Sequence, residues 1–399
     1  MAESNTNRQP KENLGAEVGT LLKSNVRNYT MYLALVAILI FFNISTKGLF
    51  LSSRNISDLI NQTGYVAVLA IGMTLILIIR HIDLSVGYVA GFLGAVAATL
   101  LASGIHVALI FPIILVIGIV IGLYQGILVA YVGVPAFVTT LAGMFIFRGL
   151  LSMVTAKSGT IIVQNDFFKS LSNGYIPDFF EGELHTVTLM IGAVAVVLMF
   201  AVKLNNRHKL QQYNFKVPSM PIFIVSTALM AVVIMLVFWV LAGYKGLPIT
   251  ALIVGVILFI YNFMLNKTRL GRYIYGIGGN TEAALLSGIN VKKVTLFVFA
   301  SMSMLAAVSG ILYTSRLASA TPTAGLGFEM EAIASSYIGG VSVSGGVGKV
   351  TNTIIGALIM SSLTNGMNLM GLDISFQYVI KGAIFILAVA FDVKTRSKA

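Results

Sequence analysis

Two stretches of this sequence carry glycine patterns of the kind that cradle phosphates. In residues 343–350, VSGGVGKV, Gly348 and Lys349 stand as they do in a phosphate loop, where backbone amides and a lysine hold a nucleotide. Val343 takes the place of the first required glycine, and Val350 that of the hydroxyl that holds magnesium. Residues 276–281, GIGGNT, begin like a dinucleotide fingerprint, but Thr281 stands at the third glycine position and no strand–helix alternation surrounds it. Neither motif forms a nucleotide site. There is no HExxH and no GxSxG; His81, His106, His185 and His208 are scattered without ligand spacing, and the chain has no cysteine. The residues therefore predict no covalent chemistry, no metal and no cofactor of the chain's own. Any energy must come from an ion gradient or from a separate ATP-hydrolysing subunit.

The remaining groups with chemical potential are charges and hydroxyls in apolar surroundings. Arg148 interrupts an apolar run, where a cation is costly unless it meets protein, water or an acid, or snorkels to the surface. A structural ion pair and a contribution to a path through the membrane both remain open for it. Arg80 and Asp83 lie in the short turn RHIDLSVG and are candidates for a gate on such a path. Asp83 is equally suited to cap the helix that follows, since a carboxylate favours a helix amino end. Glu329 and Glu331 precede Ser335, Ser336 and Tyr337 at the start of a glycine-interrupted segment. These could bond the hydroxyls of a neutral solute, although solvation explains the two carboxylates as well.

The elements that must position these groups are membrane helices. With 57% hydrophobic and 10% charged residues and a mean hydropathy of +0.92, the chain lies outside the soluble class. Apolar runs cover residues 29–45, 59–79, 85–101, 107–132, 135–155, 185–202, 222–241, 249–265, 294–314, 350–370 and 375–391. Each approaches the ~20 residues that cross a hydrocarbon core as helix. The chain carries 26 Lys and Arg against 14 Asp and Glu, and most of this excess falls in alternate short loops. That reads as topology, not nucleic-acid binding. Eleven crossings from a cytoplasmic amino terminus would leave Lys394, Arg396 and Lys398 outside, the wrong side for basic residues. The conflict disappears if residues 332–348, AIASSYIGGVSVSGGVG, cross as well. The expectation is an all-α polytopic bundle of about 12 crossings with both termini cytoplasmic. The segment 332–348 would reach only about 25 Å as helix. Its glycines weaken it further, so it must be buried in protein or line a watery cavity, crossing or re-entering.

The polar ends and loops complete the plan. Residues 1–28 lack a signal-peptide core and read as a cytoplasmic tail, 29–391 as the membrane domain, and 392–399 as a second cytoplasmic tail. The external loop 156–184 is mildly acidic and could meet an outside partner. The cytoplasmic loop 266–293 is the long polar stretch suited to docking another protein.

Four segments in order carry a family resemblance: 71–87 (IGMTLILIIRHIDLSVG), 134–149 (VPAFVTTLAGMFIFRG), 271–291 (GRYIYGIGGNTEAALLSGINV) and 318–348. With the spans between them the chain resembles the permease subunits of bacterial ABC importers for monosaccharides, of ribose, xylose or multiple-sugar type. These sit within the larger group that includes branched-chain amino-acid permeases. Residues 203–246 look like an addition relative to ribose permeases, nearer the xylose type. The resemblance implies a multi-pass subunit of the bacterial cytoplasmic membrane, paired with a second permease copy and surrounded by lipid. An ATP-binding subunit, which alone binds ATP, would lie beneath, and an extracytoplasmic sugar-binding protein above. It implies that Glu282, Ala283, Ala284, Leu285, Leu286, Ser287, Gly288 and Ile289 form a short helix coupling to the ATPase. Thr281 is suited to cap that helix and Gly288 to end it. An ion-coupled secondary transporter and a branched-chain amino-acid permease are the alternatives.

Overall fold

The computed structural model describes residues 26–213, 215 and 217–396. Most of the expected amino-terminal tail 1–28, the last three residues of the expected 392–399 tail and Lys216 fall outside the described residues. Every one of the eleven apolar runs is helix. They form α1 (Val26–Ser45), α2 (Ser53–Ile78), α3 (Val86–Ala102), α4 (Val107–Ile127) and α5 (Ala136–Thr155). After a short helix α6 (Asp166–Asn173) come α7 (Thr186–Gln212), α8 (Met220–Ala242) and α9 (Ile249–Lys267). The polar loop holds α10 (Arg269–Gly279) and α11 (Thr281–Leu286), and is followed by α12 (Val291–Leu317). The chain closes with α13 (Phe328–Ile338), α14 (Val350–Leu369) and α15 (Ile374–Arg396). Seven helices among the described residues are long and apolar enough to cross a membrane, and α1, α3 and α15 hold shorter apolar stretches. The protein is a polytopic helical membrane protein.

Boundaries follow local chemistry. α2 starts six residues before its apolar run because Ser52 caps it, its hydroxyl accepting the Asn55 amide at 3.4 Å. α7 outruns its apolar run by ten residues, and α15 continues through Arg396 into the expected tail.

Burial ranks the helices. In their apolar windows α2 is 83% buried and α12 72%, whereas α7 and α8 are 11% buried each. The first two are the axis of the bundle; the α7–α8 hairpin lies at its margin, apolar on all sides as lipid contact requires. Residues 203–246 take in α8 and the polar end of α7, and one marginal span can be added without disturbing the axis. α4 reaches α12 through Gly118, Gly122 and Gly126, spaced by four. A side chain at Gly122 would strike the backbone of Phe299 and Ala300, so the helices meet backbone to backbone in the way small residues permit in membranes.

One end of the bundle is tied by the loop 156–184. Its strand Ile161–Ile162 pairs antiparallel with Ser319–Ala320, and the Ser315 hydroxyl donates to the Phe168 carbonyl at 2.7 Å. His185 caps α7 and Asp178 accepts the Thr186 amide beside it at 2.6 Å, while Glu181, Glu183, Phe179 and Phe180 face outward.

Candidate functional site

The end of the bundle opposite that loop brings three segments together: the C-terminus of α2, the α10–α11 loop and the glycine-rich stretch after α13. α2 stops at Ile78, and Arg80 turns the chain with φ +64°, in the left-handed region. Its guanidinium crosses 198 residues of sequence to α10, Nε donating to the Gly278 carbonyl at 2.7 Å and Nη2 to the Gly279 carbonyl at 2.6 Å. These are terminal carbonyls of a helix, without partners along it, where a cation is favoured. α13 ends at Gly339, and residues 339–349 form an irregular loop in place of a continuous helix. That loop folds back on the same junction: the Gly346 amide donates to the Ile78 carbonyl at 2.9 Å, and the Tyr275 hydroxyl to the Gly348 carbonyl at 2.7 Å. Gly278 has no room for a side chain, pressed between the Ile78 carbonyl and the Gly346 amide.

α11 projects from this junction. Asn280, not Thr281, is its cap: Asn280 Oδ1 accepts the Ala283 amide at 3.0 Å, while the Thr281 hydroxyl turns back to the Ile277 carbonyl. Gly288, at φ +79°, ends the helix as expected, with the Ile289 amide returning to the Ala284 carbonyl at 3.0 Å. The helix spans Thr281–Leu286, so it begins one residue before the expected coupling segment Glu282 to Ile289 and leaves Ser287, Gly288 and Ile289 beyond its end. Ala284 is buried and Ile289 half-buried; Glu282, Ala283, Ser287 and Gly288 are exposed, and Leu285 and Leu286 are 55% and 89% exposed. Two bare leucines on a polar loop form an apolar tip left uncovered among the described residues.

Asp83 lies beside this junction, fully buried before α3. Its Oδ1 accepts from the Ser85 amide at 2.9 Å and the Ser85 hydroxyl at 2.7 Å, and the Gln125 amide donates to that hydroxyl at 2.8 Å. Asp83 thus fixes the turn that leads into α3 but does not cap it, since it bonds Ser85, the N-cap residue itself, and no amide of the helix. Burial pushes its carboxyl up to about 6, against the lowering pull of the two Ser85 hydrogen bonds. Its Oδ2 has no hydrogen-bond partner among the described residues.

The other candidates gather around α13. Glu331 is paired with Lys381 of α15 at 2.8 Å, so the cation within the last span has a mate fifty residues earlier. Glu329 is buried beside Gly87, its Oε2 without a partner among the described residues. Ser335 and Ser336 are buried, and their hydroxyls donate to the Glu331 carbonyl at 2.6 Å and the Ala332 carbonyl at 2.9 Å. Ser336 also reaches the Ala70 carbonyl at 3.2 Å, next to a Thr74–Thr353 hydroxyl pair at 2.7 Å. Ser336 therefore helps to join α13 to α2, whereas the Ser335 hydroxyl is bonded within α13, and neither presents a free hydroxyl to an open surface. Tyr337 packs its half-buried ring 6.1 Å from Phe385. Arg148 stands apart: it is exposed on α5, its guanidinium 5.8 Å from the centre of the Tyr88 ring, with no carboxylate in ion-pair range among the described residues.

The structure thus joins Arg80 to the α11 loop and Glu331 to Lys381, and leaves Arg148 away from both. Tyr275, Gly278 and Gly346 at the junction, Thr74 and Thr353 in the seam, and Lys381 were not singled out as site residues from sequence. The one available signal was Lys381 itself, a cation within an apolar span.

Comparison with known proteins follows the same lines. Residues 55–389 match the family model described as branched-chain amino acid transport system / permease component. The xylose transport system permease protein XylH of Escherichia coli strain K12 is 38% identical over 380 residues, 95% of each chain. Its namesake in Haemophilus influenzae is 37% identical over 385 residues, 94% of this chain and 99% of that one. The ribose import permease protein RbsC of Escherichia coli strain K12 is 32% identical over 346 residues, 86% of this chain and 87% of that one. No solved structure matches the chain.

Proposed function

Since this chain belongs to the family of permease components of branched-chain amino acid-type transport systems, we propose that it forms the membrane path of an ATP-driven importer for a monosaccharide. The observation that carries this reading is the end-to-end match to xylose permeases, over 95% of both chains. The xylose relatives are 37–38% identical against 32% for the ribose relative, which favours a xylose-like substrate class. The chain is a transport subunit and a multi-pass protein of the inner membrane.

The finer features of the proposal rest on the geometry. Both termini lie in the cytoplasm after about 12 passes, counting α13 and the loop 339–349 as one. In support, the loop leading to Lys349 is bonded to the end of α2 and to α10. Lys349 and the polar loop 266–293 therefore share a side, as the positive-inside rule demands. ATP is bound and hydrolysed on a separate subunit that receives Leu285 and Leu286. An extracytoplasmic sugar-binding protein delivers the solute to the opposite end, where Phe179, Phe180, Glu181 and Glu183 face outward. Arg148 looks across the path toward a second permease copy, since an exposed guanidinium in an apolar span is tolerated where it meets water or protein. A neutral sugar has to be passed on and not trapped, and a face that offers it a single cation binds hydroxyls weakly.

The test is reconstitution with the ATP-binding and binding-protein partners, reading ATP hydrolysis with and without sugar. Sugar-stimulated hydrolysis is expected. Gradient-driven sugar uptake by the chain alone, without ATP, would overturn the proposal in favour of a secondary transporter.

A further inference from the structure

We infer that Arg80 is a positioning residue, a strut that makes the docking helix α11 and the glycine loop 339–349 move as one body. The inference rests on the importer reading above and assigns the route by which motion at α11 enters the bundle.

Four observations converge on it. First, the guanidinium grips the Gly278 and Gly279 carbonyls at 2.7 and 2.6 Å, and only Asn280 separates Gly279 from the first residue of α11. That one extended residue is itself tied to the docking helix, its side chain accepting the Ala283 amide. Second, the Arg80 side chain lies against Gly345, which has φ +76° and no room for a side chain of its own. The arginine therefore touches the α10 end and the glycine loop at once. Third, Arg80 itself holds φ +64°, a conformation that costs a non-glycine residue about 1 kcal/mol or more. A glycine would relieve that cost, so the side chain is what the position gains. Fourth, the glycine loop is continuous with the buried seam of α2, α13 and α14, through Gly339 at one end and Val350 at the other. A displacement of α11 is thereby handed to the wall of the bundle. Because Arg80 is exposed, this role is separable from core packing. Lysine is a poor substitute, because a point charge cannot hold two carbonyls in the planar fork that guanidinium provides.

The test uses the full complex in proteoliposomes with Arg80→Ala and Arg80→Lys. Expected for Arg80→Ala is normal co-purification of the ATP-binding subunit, unchanged basal hydrolysis, and at least a tenfold loss of sugar-stimulated hydrolysis and uptake. Arg80→Lys should fall between. In parallel, spin labels at Glu282 and Val343, introduced as cysteines into a chain that has none, report the distance between α11 and the loop in the permease alone. A narrow distribution should broaden in Arg80→Ala. An unchanged distribution overturns the strut whatever the hydrolysis does. Retained stimulation despite broadening overturns its role in coupling, and loss of ATPase-subunit binding overturns it by making Arg80 part of the docking surface. Failure of the unaltered chain to bind an ATP-binding subunit would sink the importer reading instead, with the distance measurement still deciding the strut.

Discussion

Replacing Asp83 with Asn should stabilise the protein at alkaline pH and not at acid pH. The carboxyl is fully buried, and its proton is held up to about 6 against a usual 3.8 because burial disfavours the charge. Each tenfold change in proton affinity is worth about 1.4 kcal/mol, so the ionised group costs the folded state about 3 kcal/mol at pH 8. The sign follows from the folded value lying above the unfolded one. The folded state binds the extra proton between these values, so the group's favourable contribution is complete below 3.8 and is lost as pH rises through about 6. Asparagine keeps an oxygen for the Ser85 amide and hydroxyl and removes the charge. Its amino group replaces Oδ2, which has no partner among the described residues, and leaving it unpaired costs about 1 to 2 kcal/mol. The net gain expected at pH 8 is about 1 to 2 kcal/mol, falling to zero or below at pH 4.5. Thermal unfolding in detergent across that range, comparing Asp83→Asn with the unaltered chain, reads it directly. A variant less stable at pH 8, or a gain equal at both ends of the range, would refute the reasoning.

Three further outcomes are expected. Lys381→Ala strands the largely buried Glu331 carboxylate and should cost about 3 kcal/mol, while Lys381→Met with Glu331→Met should recover most of it; unfolding midpoints of the single and double variants check this. Gly278→Ala forces a methyl group into the Ile78 carbonyl and Gly346 amide and should destabilise by about 1 to 3 kcal/mol, whereas alanine at Gly279, where nothing lies within reach, should cost far less. Leu285→Ser with Leu286→Ser should leave the unfolding midpoint unchanged but abolish co-purification of the ATP-binding subunit. Intact co-purification would remove α11 from the docking surface.

The helices were legible because a membrane imposes one rule on every span: the backbone must bond to itself within the segment. An apolar run near twenty residues is therefore helix, and all eleven runs are. Gly288 was legible as a stop for a comparable reason, since a left-handed turn after a helix is a local preference. The cap of α11 was misplaced because Asn280 and Thr281 are both capable, and only the backbone shows which side chain faces the free amide. Ion pairs and seams were hidden by distance along the chain. Arg80 meets α10 nearly 200 residues away, and Lys381 finds Glu331 on another helix.

By itself, then, the sequence determined what the solvent and local backbone energetics determine: a polytopic helical protein, its apolar helices, its exposed polar loop and its lack of a nucleotide motif. Tertiary structure alone decided which helices form the axis, that Ser336 joins α13 to α2, and that Arg80 links the polar loop to the broken segment. The reason is physical. Helix formation depends on neighbours in the chain, whereas the partner of a buried charge or a bare carbonyl is set by which backbones can approach, and that depends on the whole bundle.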